Sequence, residues 1–204
     1  VDIPAGLIQR WRPDTGERRS WQLPTAVGSI GLRASGGLVV ALRSGFHLFD
    51  LESDALTFLC HPEPGLASNR LNDGKVSPEG RFWAGTMDER PEKEPIGSLY
   101  RLDADHRCTR TVGGVKVSNG LAWSPDGRTM YHSDSRGGAI FRHAYDPQTG
   151  TLGGGGWCGR PVIGDEIDQR RIGFVAHGGD NRYFAARHGA DDNFLVETPE
   201  VFKR

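Results

Sequence analysis

A strand-forming unit that recurs along the chain restricts its fold more than any other feature. The unit is a turn glycine or asparagine followed by a short run of small, apolar or aromatic residues. It occurs as GGLVVAL from Gly36, GRFWAGT from Gly80, GRTMYHSD from Gly127 and NRYFAAR from Asn181. The spacing of roughly 45 to 55 residues is close to the length of a four-stranded β-propeller blade.

A second pattern, an aromatic residue and then a turn, follows each of the first three units. It reads GFHLFDLESDAL, GSLYRLDADHRC and GAIFRHAYDPQTGTL, and LIQRWRPDTGER near the N-terminus repeats it. No long apolar stripe of helical period lies between the glycines. We therefore predict an all-β chain with the β-propeller fold. A β-sandwich is the alternative, but it gives no reason for blade-length spacing.

The composition agrees with many short strands joined by tight turns. The 204 residues include 29 glycines and 12 prolines, and 36% of the residues are hydrophobic. At roughly 45 residues per blade, the chain supplies only about four to five blades. We therefore expect a propeller that is truncated or is completed by another chain. Open blade edges would allow copies of the chain to associate.

Charge and cysteine content exclude several classes of protein. The formal net charge is −1 and no basic run occurs, so neither nucleic acid nor an anionic membrane is an expected partner. No apolar run reaches the roughly 18 residues of a membrane span, and the first residues do not show a basic region followed by an apolar one. Cys60, Cys108 and Cys158 form no CxxC pair, which argues against a structural zinc site and a disulfide framework. These features predict a soluble, cytoplasmic protein.

The segment SNRLNDGKVSPEGRFWAGTMDE concentrates polar side chains just before a predicted strand. Its Asn72-Asp73-Gly74 has the chemistry of a turn, and a solvated loop is the simplest interpretation. Arg70 and Asn72 flank a leucine, so on an extended segment their side chains point the same way. A guanidinium group and an amide on one face suit a polyhydroxylated ligand or a carbonyl oxygen.

Asn119 repeats this arrangement one blade later, where Asn119-Gly120 precedes a predicted strand. An asparagine carbonyl is a hard oxygen ligand that suits Ca²⁺, Mg²⁺ or Mn²⁺. Motifs for other chemistry are missing from the sequence. It has no glycine-rich phosphate loop with Lys-Ser/Thr, no G-x-S-x-G elbow and no HExxH pair.

Three stretches, NRLNDGKVSPEGRFWAGTMDE, VSNGLAWSPDG and VDIPAGLIQRW, resemble the senescence marker protein/gluconolactonase/regucalcin-like family. The resemblance runs over residues 1–152, and residues 153–204 are expected to be a divergent, incomplete continuation of the same propeller. It implies a six-bladed β-propeller fold, of which this chain would cover about four to five blades. Members of the family hydrolyse sugar lactones with a divalent metal in the central channel.

The resemblance also implies roles for individual residues. Arg70 and Asn72 would contact the substrate, and Asn119 would be a ligand of the metal. Glu89 follows GTM and is a candidate substrate-binding carboxylate, although Arg90 stands at the position where the family's carboxylate aligns.

The family's remaining metal ligands align with this sequence less closely than Asn119 does. Aligning IDQRRIGFVAHGG on the family's next strand makes Asp165 the nearest candidate for both a metal ligand and the catalytic base, with Asp168 behind it. A first-blade glutamate ligand is expected upstream of VDIP, outside this chain.

These observations predict metal-dependent hydrolysis of a sugar lactone by metal-activated water. The cofactor would be a divalent metal: Ca²⁺, Zn²⁺, Mg²⁺ or Mn²⁺. A non-catalytic, Ca²⁺- or ligand-binding propeller of the regucalcin type is the alternative, so whether the chain is an enzyme stays open. A propeller that serves only as an interaction scaffold, without a metal, is a third hypothesis.

Overall fold

The structure is a computed structural model that describes residues 1–159, and every regular element in this range is a β-strand. The strands are β1 (Leu7–Trp11), β2 (Arg18–Gln22), β3 (Val27–Leu32), β4 (Leu38–Leu42), β5 (Gly45–Phe49), β6 (Leu56–Cys60), β7 (Asn69–Val76), β8 (Phe82–Asp88), β9 (Gly97–Leu102), β10 (Cys108–Val115), β11 (Ser118–Trp123), β12 (Thr129–Asp134), β13 (Ala139–Asp146) and β14 (Thr151–Gly159). A helix long and apolar enough to cross a membrane is not found over this part of the chain.

Strands that follow one another in the chain are also neighbours in the sheets. Strands β3–β6, β7–β10 and β11–β14 each form a four-stranded antiparallel sheet, and β1 and β2 form a two-stranded one. This is the strand order of propeller blades, so the predicted propeller fold is confirmed. The recurring glycine-strand unit supplies the second strand of each blade, namely β4, β8 and β12. The fourth unit, at Asn181, lies outside the described residues.

The first strands of successive blades lie next to one another, with β7 between β3 and β11. Close packing there requires glycine, because a Cβ on Gly28 of β3 would collide with the carbonyl groups of Leu71 and Asn72 on β7. A Cβ on Gly85 of β8 would likewise collide with Ser118 at the start of β11. We call the end of the sheets at which β3, β7 and β11 begin the upper face.

Apolar and aromatic side chains fill the space between successive blades. Phe46 of β5 packs edge-to-face on Phe82 of β8, with ring centroids 6.0 Å apart. Trp83 is completely buried and makes edge contacts with Trp123 and Tyr145 of the following blade. Each aromatic pair adds about 0.5–1.5 kcal/mol beyond the area it buries. These contacts hold the first strands in place and therefore position the residues of the upper face.

The face opposite the upper face carries a charged crevice of about 380 Å³, lined by Glu79, Arg81, Arg101 and Asp103 among others. Both arginines donate to main-chain carbonyls of the β13–β14 turn: Arg81 to residues 147 and 148, and Arg101 to residues 149 and 150. Their remaining contacts include ion pairs with Asp103. The crevice is thus built from links between two blades, and its arginines already have partners.

The predicted turn at Asn72-Asp73-Gly74 is wrong. These residues lie inside β7, where the pairing with β8 shifts between Leu71 and Gly74. Such a shift is a β-bulge, which inserts extra residues and redirects their side chains without ending the strand. The polar residues therefore stand on the first strand of a blade and not on a solvated loop.

Candidate functional site

Arg70 and Asn72 lie together on β7, as the alternation of side chains along a strand predicts. Arg70 Nη1 donates to Asn72 Oδ1 over 2.8 Å and to the carbonyl of Leu71 over 3.0 Å. The Asn72 amide nitrogen donates to the main-chain carbonyl of Ser118 over 2.9 Å. The Asn72 side chain is therefore fixed at both ends, and it joins β7 to β11.

Glu89 follows β8 and is shared by two arginines. Its Oε1 lies 3.2 Å from Arg70 Nε, and its Oε2 lies 2.5 Å from Arg43 Nη1. Lys93 Nζ also donates to the Glu89 main-chain carbonyl over 3.0 Å. Burial lowers the pKa of Arg70, and the charge of Glu89 counteracts this effect. Glu89 thus holds the guanidinium of Arg70 in place from one side, while Asn72 holds it from the other.

Asn119 stands on β11, next to the bulge of β7. Its Oδ1 accepts a hydrogen bond from Gly120 N–H over 3.2 Å, and the same N–H donates to Asp73 Oδ2 over 2.9 Å. Burial raises the pKa of the Asp73 carboxyl group, while the hydrogen bond from Gly120 acts in the opposite direction. The bulge therefore places a carboxylate beside the Asn119 amide. Sequence reasoning missed Asp73 because it assigned this residue to a turn.

A buried serine–histidine contact supports the start of β11. Ser118 Oγ lies 2.8 Å from His132 Nε2, and both residues are fully buried. Burial lowers the pKa of His132 to about 4, with a smaller contribution of the same sign from His143. The Asp134 carboxylate accepts hydrogen bonds from the main-chain N–H groups of residues 116 and 117. A neutral His132 therefore fixes Ser118, whose carbonyl holds Asn72.

The donors near Asn119 match part of the set that a hard divalent cation needs. The Asn119 carbonyl and the Asp73 carboxylate are oxygen donors of the kind that Ca²⁺, Mg²⁺ and Mn²⁺ accept. Within residues 1–159, no three His, Cys, Asp or Glu side chains gather closely enough to hold a metal ion by themselves. The predicted ligand Asp165, and Asp168 behind it, lie outside the described residues.

Comparisons with known proteins agree with this architecture. The family described as SMP-30/Gluconolactonase/LRE-like region matches residues 1–157. A 6-deoxy-6-sulfogluconolactonase of Pseudomonas putida is 44% identical over 146 residues, which are 72% of this chain and 50% of the relative. A regucalcin of Xenopus laevis is 38% identical over 154 residues, covering 74% of this chain and 52% of the relative.

Solved structures of related proteins also match this chain. The regucalcin of Agrobacterium tumefaciens, described as a calcium-binding protein, superposes with a TM-score of 0.71 and 27% identity. The match covers 76% of this chain and 52% of that protein. Fold and site together define a β-propeller with a polar upper face. The chain belongs to the SMP-30/gluconolactonase/LRE-like family, and it spans about half the length of the curated relatives it matches.

Proposed function

We propose that this protein hydrolyses the lactone of a sugar acid with the help of a divalent metal. The observation that carries the proposal is the arrangement of Arg70 and Asn72 on one inner strand beside Asn119 on the next. Hydrogen bonds join the two strands at this point, through Asn72 and through Asp73. The cationic donor Arg70 and the oxygen donors Asp73 and Asn119 thus lie on two strands that are hydrogen-bonded to each other.

Arg70 is suited to bind a carbonyl oxygen that gains negative charge. Its contacts with the described residues use Nε and Nη1 and leave Nη2 for a ligand. A guanidinium held by Glu89 and Asn72 does not have to reorganise when charge develops, and such preorganised donors stabilise a transition state most effectively. In this proposal, Arg70 orients the lactone and stabilises the oxyanion.

Asn119 and Asp73 would hold the metal, which in such sites polarises the carbonyl and lowers the pKa of a bound water molecule. Asp165 is proposed as the general base that takes the proton of the attacking water. Hydrolysis then breaks the ring ester bond and releases the sugar acid. The chain needs no covalent nucleophile for this reaction.

The names of the relatives support a lactone as the substrate. The Pseudomonas putida relative is a lactonase of a sulfonated sugar acid. Other relatives carry the name regucalcin, and one solved structure is described as a calcium-binding protein. Those names favour a second candidate function, a propeller that binds Ca²⁺ or a small ligand without catalysis.

A pH-stat assay of glucono-1,5-lactone hydrolysis, with and without a chelator, tests the proposal. We expect acid release that the chelator abolishes and that divalent metal restores. Asn119→Ala should lower metal affinity and hydrolysis together, each by at least about tenfold. Gln9→Ala, on the exposed face of β1, is the matched control and should change neither.

The outcomes separate the candidate functions. Metal binding without acid release would favour the calcium-binding alternative. If the protein neither binds a metal nor releases acid, the interaction scaffold is favoured. Unaltered turnover by Asn119→Ala at limiting metal would remove Asn119 from the site.

A further inference from the structure

The edge of the candidate site carries a second guanidinium group that the proposed mechanism does not use. Arg43 lies in the turn between β4 and β5, and this turn is on the upper face because Leu42 pairs with Val27 at the start of β3. Arg43 and Arg70 line one narrow crevice and share the Glu89 carboxylate between them. Because both guanidinium groups bind one carboxylate, Arg43 lies within reach of a ligand that binds Arg70.

Among the charged side chains that meet at Glu89, the most exposed is a cation. Arg43 is 48% exposed, whereas the Glu89 side chain is 30% exposed and bound by both arginines. A second carboxylate, that of Glu63, lines the crevice with Arg43 and Arg70 and is only 7% exposed. Neutral donors, namely Asn69, Thr86 and Tyr100, occupy its oxygens at 2.8, 3.0 and 3.0 Å. Arg43 is thus more exposed to an anion in solvent than either carboxylate.

Arg43 also has N–H donors that its ion pair with Glu89 does not use. A guanidinium presents five N–H donors in a fixed fork, and the ion pair between Arg43 and Glu89 uses Nη1. The planar fork matches the oxygens of carboxylate, phosphate and sulfonate groups. Lys93, which donates to the Glu89 carbonyl, adds a positive charge on the same side.

We propose that Arg43 determines substrate specificity by binding an anionic substituent of the lactone, at the end of the substrate remote from the ring carbonyl. The substrate class would then be sugar-acid lactones that carry a second acidic group, such as a phosphate or a sulfonate. This inference rests on the proposed function, since it takes Arg70 as the residue that binds the ring. Arg43 and Arg70, fixed on one carboxylate, would hold the two ends of such a molecule.

The test compares kcat/KM for 6-phosphoglucono-1,5-lactone and glucono-1,5-lactone in the wild-type protein, Arg43→Gln and Arg43→Lys. We expect the wild-type protein to prefer the phosphorylated lactone. The ratio of the two kcat/KM values should fall by at least about tenfold in Arg43→Gln, because a charge-assisted hydrogen bond is lost. Arg43→Lys should give an intermediate ratio, since it keeps the charge without the fork. Arg107→Gln, an exposed arginine of the β9–β10 turn, should leave the ratio unchanged.

An unchanged ratio in Arg43→Gln would overturn the inference, and so would a wild-type preference for the neutral lactone. If the wild-type protein hydrolyses neither lactone, the proposed function fails. The role of Arg43 in anion binding is then tested by calorimetric measurement of the affinity for the two sugar acids. Tighter binding of 6-phosphogluconate than of gluconate, lost in Arg43→Gln, would then support its role as an anion-binding residue. Equal binding of the two acids by the wild-type protein would refute it.

Discussion

Arg70 donates a hydrogen bond to the side-chain carbonyl of Asn72 over 2.8 Å, and the Asn72 amide nitrogen donates onward to a main-chain carbonyl of the next blade over 2.9 Å. The amide can satisfy both partners in only one orientation. This contact therefore couples the position of the Arg70 guanidinium to the packing of β7 against β11.

Replacing Asn72 by aspartate should destabilise the protein. The variant keeps an acceptor for Arg70 but loses the donor to Ser118, and it sets a carboxylate oxygen against a carbonyl oxygen. An unsatisfied buried group of this kind costs about 1–3 kcal/mol. The free energy of unfolding, measured by urea denaturation, gives the cost. Gln9→Glu makes the same chemical change at an exposed strand position and should have little effect; equal stabilities of wild type and Asn72→Asp would contradict this account.

Stability should fall as the pH decreases from about 6.5 to about 4. His132 is buried in the neutral form, and burial lowers its pKa to about 4. The unfolded chain therefore binds a proton in this window that the folded protein does not. The contribution of neutral His132 to the free energy of unfolding is about 3 kcal/mol. It is fully present above pH 6.5 and is lost progressively as the pH approaches 4.

Urea denaturation between pH 4 and pH 7 checks this dependence. Burial also lowers the pKa of His47 and His143, so both add to the slope. The variant His132→Gln retains hydrogen-bonding groups for Ser118. In this variant the slope of the unfolding free energy against pH should decrease by the equivalent of about one bound proton. Gln9→Ala, at an exposed position without a titratable side chain, should leave the pH dependence unchanged. A slope that is identical in His132→Gln and wild type would show that His132 does not titrate as described.

The substitution Gly28→Ala should loosen the contact between β3 and β7. Its Cβ would meet the carbonyl groups of Leu71 and Asn72, which are backbone atoms that cannot swing aside. Overpacking of this kind costs about 1–3 kcal/mol. Gly65→Ala is the matched control, because no atom lies within 4 Å of its added Cβ. Thermal or urea unfolding should separate the two variants, and similar losses in both would argue against close packing at Gly28.

Cys60 and Cys108 should react slowly with alkylating reagents while the protein is folded. Burial raises the pKa of both thiols, that of Cys108 to about 12, and the thiolate is the reactive form. At pH 8 we expect both to be alkylated by iodoacetamide at least about tenfold more slowly than in urea. Mass spectrometry of the peptides that contain each cysteine gives the individual rates. Equal rates in the folded and unfolded protein would show that these thiols are accessible.

The sequence predicted the blades because their signal is local and repeated. Gly36, Gly80 and Gly127 each precede the second strand of a blade, and the length of one blade sets their spacing. The alternation of side chains also predicted that Arg70 and Asn72 share a face. The division of the chain at residue 152 and the roles of Asp165 and Asp168 stay predictions.

The sequence did not predict the contacts that depend on packing between blades. Asn72-Asp73-Gly74 has turn chemistry, and only the pairing of β7 with β8 and the closeness of β11 show it to be a bulge. Arg43 was not a candidate at all, because it lies far in sequence from Glu89. Contacts of this kind follow from how blades are arranged around an axis, and no local pattern encodes them.

A crystal structure of the protein with gluconate and a divalent metal would test the central claim most directly. We expect the carboxylate of gluconate, which takes the place of the lactone ester group, to bind Arg70, and the metal to contact Asn119. Gluconate or the metal bound away from the upper face, with Arg70 and Asn119 touching neither, would contradict the account.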